Sequence, residues 1–365
     1  MKKIVILGST GHIGRQTLEV IRAYPKEFKV VGLSANKNRR LLKEQVLEFK
    51  PIDTAIGEKD LTKIATLSEA DLIVVAVVGL AGLKPTLAAI RAKKNIALAT
   101  KEVLVIAGEL VMNEVKKNKI DLIPLDSEHS AIFQCLHAGR KKEIKKIILT
   151  MGKGRFATMS KKELIKITLT DIYKHPTWEM GNKITIDSAT CLNKSFEVIE
   201  AKYLFDLPND KIAIAVHPEH LCHSLVEFID GSIIAEFGTA DMRRYIQYAL
   251  FYPERKKTKI TSPFDLFNKT ITFEPPPFNK FPGLGLGFKA IQSGGTMPAV
   301  MHGADDVVVE AFVKKEIRFT DIPEIINTTM NNHQTIKNPG LDKILKAEQW
   351  GRNYAKKLIE RRRTK

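Results

Sequence analysis

Residues 3–14 read KIVILGSTGHIG. A short run of β-type apolar residues meets three glycines, Gly8, Gly11 and Gly14, and GRQTLEVIRAY (14–24) then repeats its apolar positions at helical spacing. A strand, a glycine turn and a helix in that order bring backbone N–H groups up to a pyrophosphate, whose charge the helix N-terminus favours. A glycine pattern alone also fits a tight turn with no ligand. Here the flanking strand and helix supply the context that a dinucleotide site requires.

The second strand extends the argument. KVVGL (29–33) runs into SANKNRR (34–40), where a site for NADH would hold an acidic residue on the ribose hydroxyl. No acid is present there. Lys37, Arg39 and Arg40 stand in its place, beside Ser34 and Asn36, and cations suit a 2′-phosphate. The expected cofactor is therefore NADPH. Further strands are expected at 53–57, 71–77, 95–99, 121–125 and 145–150, separated by helical segments such as GLKPTLAAIRAKK (82–94). This alternation predicts an α/β fold whose first 150 residues form a Rossmann-type, doubly wound parallel sheet.

Beyond that point the pattern changes. Residues 151–265 mix loops, a helix near 193–205 and strands at 211–216 and 232–237, with Asp230-Gly231 as a hairpin turn. They read as a central α+β catalytic domain. The stretch 262–287 is rich in Pro, Phe and Gly and reads as a connection, with 266–290 as the linker proper. Residues 291–365 read as a C-terminal helical domain.

The chain has 365 residues, 44% hydrophobic and 27% charged, a soluble globular balance that calls for two or three domains. No apolar run approaches the ~18 residues of a membrane span. MKKIVILGSTG is too short and too broken by glycine for a signal peptide, so it reads as the first strand of a cytoplasmic protein. Cys135, Cys191 and Cys222 have neither the number nor the spacing of a disulfide framework or a zinc site and read as buried, reduced thiols. The net charge of +17 is spread as single lysines over helix faces and is dense only in KKLIERRRTK at 356–365. No nucleic-acid-binding module accompanies it, which argues against a nucleic-acid partner.

Two polar stretches carry chemistry. In LDSEH (125–129), Asp126 and Glu128 are two apart, so in extended backbone they share a side. Two such carboxylates repel unless a cation or proton intervenes, and oxygen donors suit Mg²⁺ or Mn²⁺. The alternative is a cap, with Asp126 or Ser127 opening the next helix. In DSATCLNKSFEVIEA (187–201), Asn193 and Glu197 are i and i+4 on one helix face. Glu197 offers a third ligand, and Ser188, Asn193 and Lys194 offer a phosphate site. The same residues also fit an ordinary amphipathic helix.

Taken in order, GSTGHIG, GLAGLKPTLAAI, ATKEVLVIAG, LDSEHSAIFQ, HPTWEMGNKITIDSATCLNKSFEVIEA, DGSIIAEFGTADMR and FPGLGLGFKA resemble the 1-deoxy-D-xylulose 5-phosphate reductoisomerase family nearly end to end. The resemblance implies a cytoplasmic homodimer that uses NADPH and Mg²⁺ or Mn²⁺ to rearrange and reduce a sugar phosphate. It implies Asp126, Glu128 and Glu197 as metal ligands, and Lys101 and Ser127 as substrate contacts with Glu128 and Glu197. Ser188, Asn193 and Lys194 would hold the phosphate, and His175 and Trp178 would belong to a closing loop. Lys101, Asp126, Glu128, His175 and Glu197 would form the catalytic set. For the cofactor it implies the turn Gly8, Ser9, Thr10, Gly11, His12, Ile13 and Gly14. Ala35, Asn36, Lys37 and Asn38 would follow, with Thr100, Glu102 and Met242 completing the contacts.

The sequence departs from the family in places. TMGKGRF (150–156) stands where the family has a Ser-Gly-Gly-Pro-Phe run, so Gly152 replaces a serine that meets the substrate phosphate, and Lys153 and Arg155 replace Gly and Pro. Either those cations substitute for the lost hydroxyl, or the loop has drifted. Thr100 and Val103 replace Asn and Ser, His220 replaces a Ser, and His302, Asp305 and Asp306 replace Asn, Asn and Glu. These changes keep two other readings open: an oxidoreductase for another phosphorylated keto sugar, and a non-catalytic basic binding protein on the same fold.

Overall fold

The computed structural model describes residues 1–173 and 182–363. His175 and Trp178 lie outside the described residues. Six strands form one parallel sheet: β1 (Lys2–Leu7), β2 (Phe28–Ala35), β3 (Asp53–Ile56), β4 (Leu72–Val75), β5 (Asn95–Leu98) and β6 (Leu122–Pro124), in the order β3-β2-β1-β4-β5-β6. This is the doubly wound order, which reverses between β1 and β4 and opens a crevice at the carboxyl ends of those strands. Ile4, Ile6, Val30, Leu33 and Val74 of these strands are buried. Their near-continuous apolar runs are what a strand covered on both faces demands.

The stretch 145–150 does not join that sheet. It lies in β7 (Ile144–Met151), within a second sheet of order β10-β9-β7-β8, where β8 is Ile212–Val216, β9 Cys222–Phe228 and β10 Ile233–Phe237. Its lysines give the reason. Lys145 and Lys146 pair with Glu227 of β9 at 2.7 and 3.1 Å, an exposed ionic face that the interior of a parallel sheet would not accept. β9 and β10 form the expected antiparallel hairpin through Asp230-Gly231, with Gly231 at φ 88°.

The chain forms two compact units that do not follow contiguous segments. The first comprises residues 1–103, 111–147 and 221–270; the second comprises 104–110, 148–220 and 271–365. In the first, the helix Met242–Phe251 explains why a late segment returns. Its Ile246, Leu250 and Phe251 enter the same core as Ile4, Leu18, Ile21 and Val30. Each such side chain contributes roughly 1.5–3 kcal/mol on burial. Tyr24 donates to the Lys257 carbonyl at 2.6 Å and adds a polar tie to the same segment.

The second unit is mainly helical. The helix Gly283–Ser293 starts inside the stretch expected to be a connection. The glycines of PGLGLG let it approach the helix Leu192–Phe205: a Cβ at Gly287 would overlap the backbone of Ser195. Ser195 Oγ accepts from Gly287 N at 2.8 Å and donates to the Gly283 carbonyl at 2.6 Å. No helix among the described residues is long and apolar enough to cross a membrane.

His302, Asp305 and Asp306 lie on the helix Met297–Val313, in a buried ionic network. Lys183, on the helix Asn182–Ala189, pairs with Asp187 at 2.7 Å, with Asp305, and with Asp306 at 3.6 Å. Arg352, on the helix Leu341–Arg363, bridges Asp306 and Glu348, and His302 Nδ1 lies 3.1 Å from Glu348. His302, Asp306 and Glu348 have the ligand types of a metal site. The Arg352 guanidinium already holds both carboxylates, and His302 turns opposite ring edges to them, so the group is an internal counter-ion network. Burial opposes the charge on Lys183, but its carboxylate neighbours hold its pKa well above the usual lysine range.

Burial, reinforced by Asp187, pushes Asp305 up to about 8 against the pull of Lys183. A raised folded pKa contributes stability that is fully present below the unfolded value of roughly 3.9 and is lost as pH rises through the folded value. In urea unfolding between pH 4 and 9, the parent therefore loses stability relative to Asp305→Asn as pH rises. A pH-independent difference between the two would contradict this account.

Candidate functional site

At the carboxyl end of β1 the turn is built by close approach. Gly8 has φ 87°, and a Cβ at Gly14 would overlap the Gly8 carbonyl and the Ser9 backbone. Ser34 Oγ accepts from Gly8 N at 2.9 Å, and the buried Ser9 hydroxyl donates to Gln45 at 2.7 Å. Gly11 is the N-cap of the helix His12–Ala23 and has no capping side chain, so the first-turn N–H groups remain for an anion. Gly11 and His12 are exposed, and Thr10 and Ile13 are half-buried. This cradle fits a pyrophosphate.

Past β2, Ala35 is buried while Asn36, Lys37, Asn38 and Arg39 are exposed. Asn38 accepts from Leu41 N at 3.1 Å and caps the helix Arg39–Phe49, so its side chain serves the fold. Arg40 pairs with Glu44 at 3.2 Å. Thr100 is also committed: its hydroxyl donates to the carbonyls of Val77 and Val75 at 2.5 and 3.2 Å. Glu102 lies in the first turn of the next helix, and Met242 packs against the core of the same unit.

The sequence reading set Asp126 and Glu128 on one side of an extended strand; the structure arranges them differently. β6 ends at Pro124, Asp126 is the N-cap of the helix Ser127–Cys135, and Glu128 lies in its first turn. The Asp126 side chain makes no cap hydrogen bond. Its Oδ2 pairs with Lys101 at 2.7 Å, and its Oδ1 is buried without a hydrogen-bond partner among the described residues, 3.4 Å from His129 Nδ1. Burial pushes the Asp126 carboxyl up, but Lys101 and the His129 ring hold it well below the usual carboxylate range. A buried, ionised carboxylate fits a cation ligand. Ser127 Oγ donates to Glu128 at 2.5 Å. Sequence reasoning missed His129, although its i+3 spacing from Asp126 was a legible signal.

In the second unit, Asn193 and Glu197 share a helix face as expected, with Asn193 Nδ2 donating to Glu197 Oε1 at 2.5 Å. Glu197 is buried, and Lys194 donates both to it and to the Thr150 carbonyl, the latter at 2.5 Å. Ser188 is exposed near the end of its helix. The loop after β7 spends its cations elsewhere. Lys153 pairs with Glu274 at 2.7 Å, and Arg155 donates to the Asp171 carbonyl at 2.5 Å. Beside Gly152 lies the His220 imidazole, in the volume that a Cβ at residue 152 would enter. The cysteines supply no ligand or nucleophile. Burial pushes Cys135 and Cys191 up to about 12 and Cys222 to about 11.

Comparison with known proteins gives a consistent result. Models of 1-deoxy-D-xylulose 5-phosphate reductoisomerase match residues 4–56 and 52–108, those of its C-terminal domain match 122–205, and those of the DXP reductoisomerase C-terminal domain match 237–354. The chain is similar to the 1-deoxy-D-xylulose 5-phosphate reductoisomerase of Caldanaerobacter subterraneus subsp. tengcongensis, 48% identical over 95% of this chain and 97% of that one. The Pelotomaculum thermopropionicum enzyme of the same name is 46% identical over 98% and 99%. The Zymomonas mobilis enzyme solved with NADPH superposes with a TM-score of 0.90 at 36% identity, covering 98% of this chain and 99% of that one. A reductoisomerase solved with NADPH, fosmidomycin and magnesium has the same TM-score at 35% identity, covering 99% and 98%.

The close approach at the turn makes a test. Gly14→Ala forces the helix start away from β1, at a cost of about 1–3 kcal/mol for an overpacked contact. Dinucleotide binding, read by fluorescence titration, weakens by roughly tenfold or more, and the thermal midpoint falls. Unchanged binding and melting would show that the turn tolerates a side chain.

Proposed function

The chain belongs to the 1-deoxy-D-xylulose 5-phosphate reductoisomerase family, and from that premise we propose how its own residues share the work. It is an NADPH- and divalent-metal-dependent reductoisomerase that converts 1-deoxy-D-xylulose 5-phosphate to 2-C-methyl-D-erythritol 4-phosphate for isoprenoid synthesis. The observation that carries the assignment of roles is the donor set: ionised, buried carboxylates held by ammonium groups, with every cysteine kept as a thiol.

Asp126, Glu128 and Glu197 are the ligands of Mg²⁺ or Mn²⁺ in this reading. The bound ion polarises the substrate's oxygens and the dinucleotide supplies the hydride. Lys101 balances the carboxylates and donates to a substrate oxygen, with Ser127 beside it. Lys194 and Asn193 hold and orient Glu197 and, with Ser188, receive the phosphate. The turn from Gly8 to Gly14 takes the pyrophosphate, and Lys37 and Arg39 the 2′-phosphate. Met242 lies against the nicotinamide. His175 and Trp178 close over the substrate and exclude water from the reactive aldehyde. The functional division keeps a dinucleotide region over 1–150, a catalytic region over 151–265, a linker over 266–290 and a helical region over 291–365.

We further propose a cytoplasmic homodimer without a nucleic-acid partner. The three free thiols suit a reducing compartment. β10 is the edge of its sheet, and its unpaired backbone groups, with Ile233 and Ile234 exposed at 53% and 38%, can be covered by an identical edge.

The test is NADPH absorbance at 340 nm with purified protein, Mg²⁺ or Mn²⁺, and 1-deoxy-D-xylulose 5-phosphate. The parent oxidises NADPH only with metal present. Glu197→Gln loses about 10²–10³-fold in kcat/KM while NADPH affinity is retained. Near-full activity in that variant would refute the metal assignment. Faster turnover of another keto-sugar phosphate would redirect the substrate assignment. For the dimer, Ile234→Glu elutes as a monomer in size exclusion with light scattering; a monomeric parent would end that proposal.

A further inference from the structure

Two departures far apart in sequence, Gly152 and His220, meet in the fold. A Cβ at residue 152 would overlap Cε1 and Nε2 of the His220 ring, so a side chain at 152 would have to displace this imidazole from its position. The turn that presents the ring is held firmly. His217 N donates to the Met151 carbonyl at 2.7 Å, which fixes the turn to the end of β7. The buried His217 ring lies 2.8 Å from the Thr272 carbonyl and 3.0 Å from Glu219 and stacks on Phe273. His220 itself sits at φ 54°, in the left-handed region that turns the chain here. The Lys194 ammonium lies against Thr150, two residues before Gly152, while Lys153 and Arg155 are paired with Glu274 and the Asp171 carbonyl.

On the reading of the active site given above, we infer that His220 is a ligand of the substrate's phosphate, its imidazole taking the place over the end of β7 that a side chain at residue 152 would hold. An imidazole there donates a charge-assisted hydrogen bond beside the Lys194 ammonium. The donor has moved from the loop after β7 to the turn after β8, and glycine at 152 is the condition for that move.

Inorganic phosphate is the probe, titrated calorimetrically into the full-length protein with NADP⁺ saturating so that the 2′-phosphate site is filled. His220→Ala binds it roughly tenfold or more weakly than the parent, and His220→Gln, which keeps a donor, recovers part of the loss. With the sugar phosphate, His220→Ala raises KM by the same factor with little change in kcat. Gly152→Ser alone also raises KM by displacing the ring, whereas in the His220→Ala background it lowers KM. Equal phosphate affinity in the parent and both His220 variants overturns the inference. A parent that binds phosphate through His220 but oxidises no NADPH supports the inference and counts against the proposed reaction alone.

Discussion

A helix can start at the end of β1 only because residue 14 has no side chain. Gly14 lies against the Gly8 carbonyl and the Ser9 backbone, and Gly8 turns the chain at φ 87°. That contact fixes the angle at which the helix His12–Ala23 leaves the sheet, and with it the direction of its unsatisfied N–H groups. β1 is central, paired with β2 on one side and β4 on the other, so the crevice at the order reversal exists only if this turn closes. The same helix receives the segment Met242–Phe251, whose Leu250 and Phe251 complete the core of the first unit.

Both units hold buried carboxylates against basic or amide groups. Asp126 is held by Lys101, Glu197 by Lys194 and Asn193, and the carboxylates around the helix Asn182–Ala189 by Lys183. An unpaired buried charge costs several kcal/mol and would be neutralised by a proton. Each unit meets that cost from its own side chains. Where the pairing is numerically insufficient, as at Asp305, the carboxyl takes a proton at higher pH instead.

Several departures from the family pattern meet in the fold or share partners there. Gly152 and His220 occupy one volume between them. His302, Asp305 and Asp306 enter a network with Lys183, Glu348 and Arg352 that ties the helix bearing Ser188 to two helices of the C-terminal region. Lys153 and Arg155, which looked like replacement phosphate donors, are engaged with Glu274 and the Asp171 carbonyl. Thr100 keeps its place by bonding carbonyls of the β4 end.

Features that depend on neighbours within a few turns were legible in the residues themselves. The strand–turn–helix at 3–24, the cations after β2, the hairpin at Asp230-Gly231 and the shared face of Asn193 and Glu197 all follow from local spacing and glycine stereochemistry. LDSEH opens a helix rather than extending a strand; a helix N-terminus and a strand end look alike over five residues. Tertiary structure alone decided that 145–150 leaves the parallel sheet, that 242–251 returns to the first core and that PGLGLG is a helix contact. It also decided that an imidazole stands where residue 152 has no side chain. Periodicity reports which face of an element is buried; which distant element covers that face is settled only when the whole chain competes for the same space.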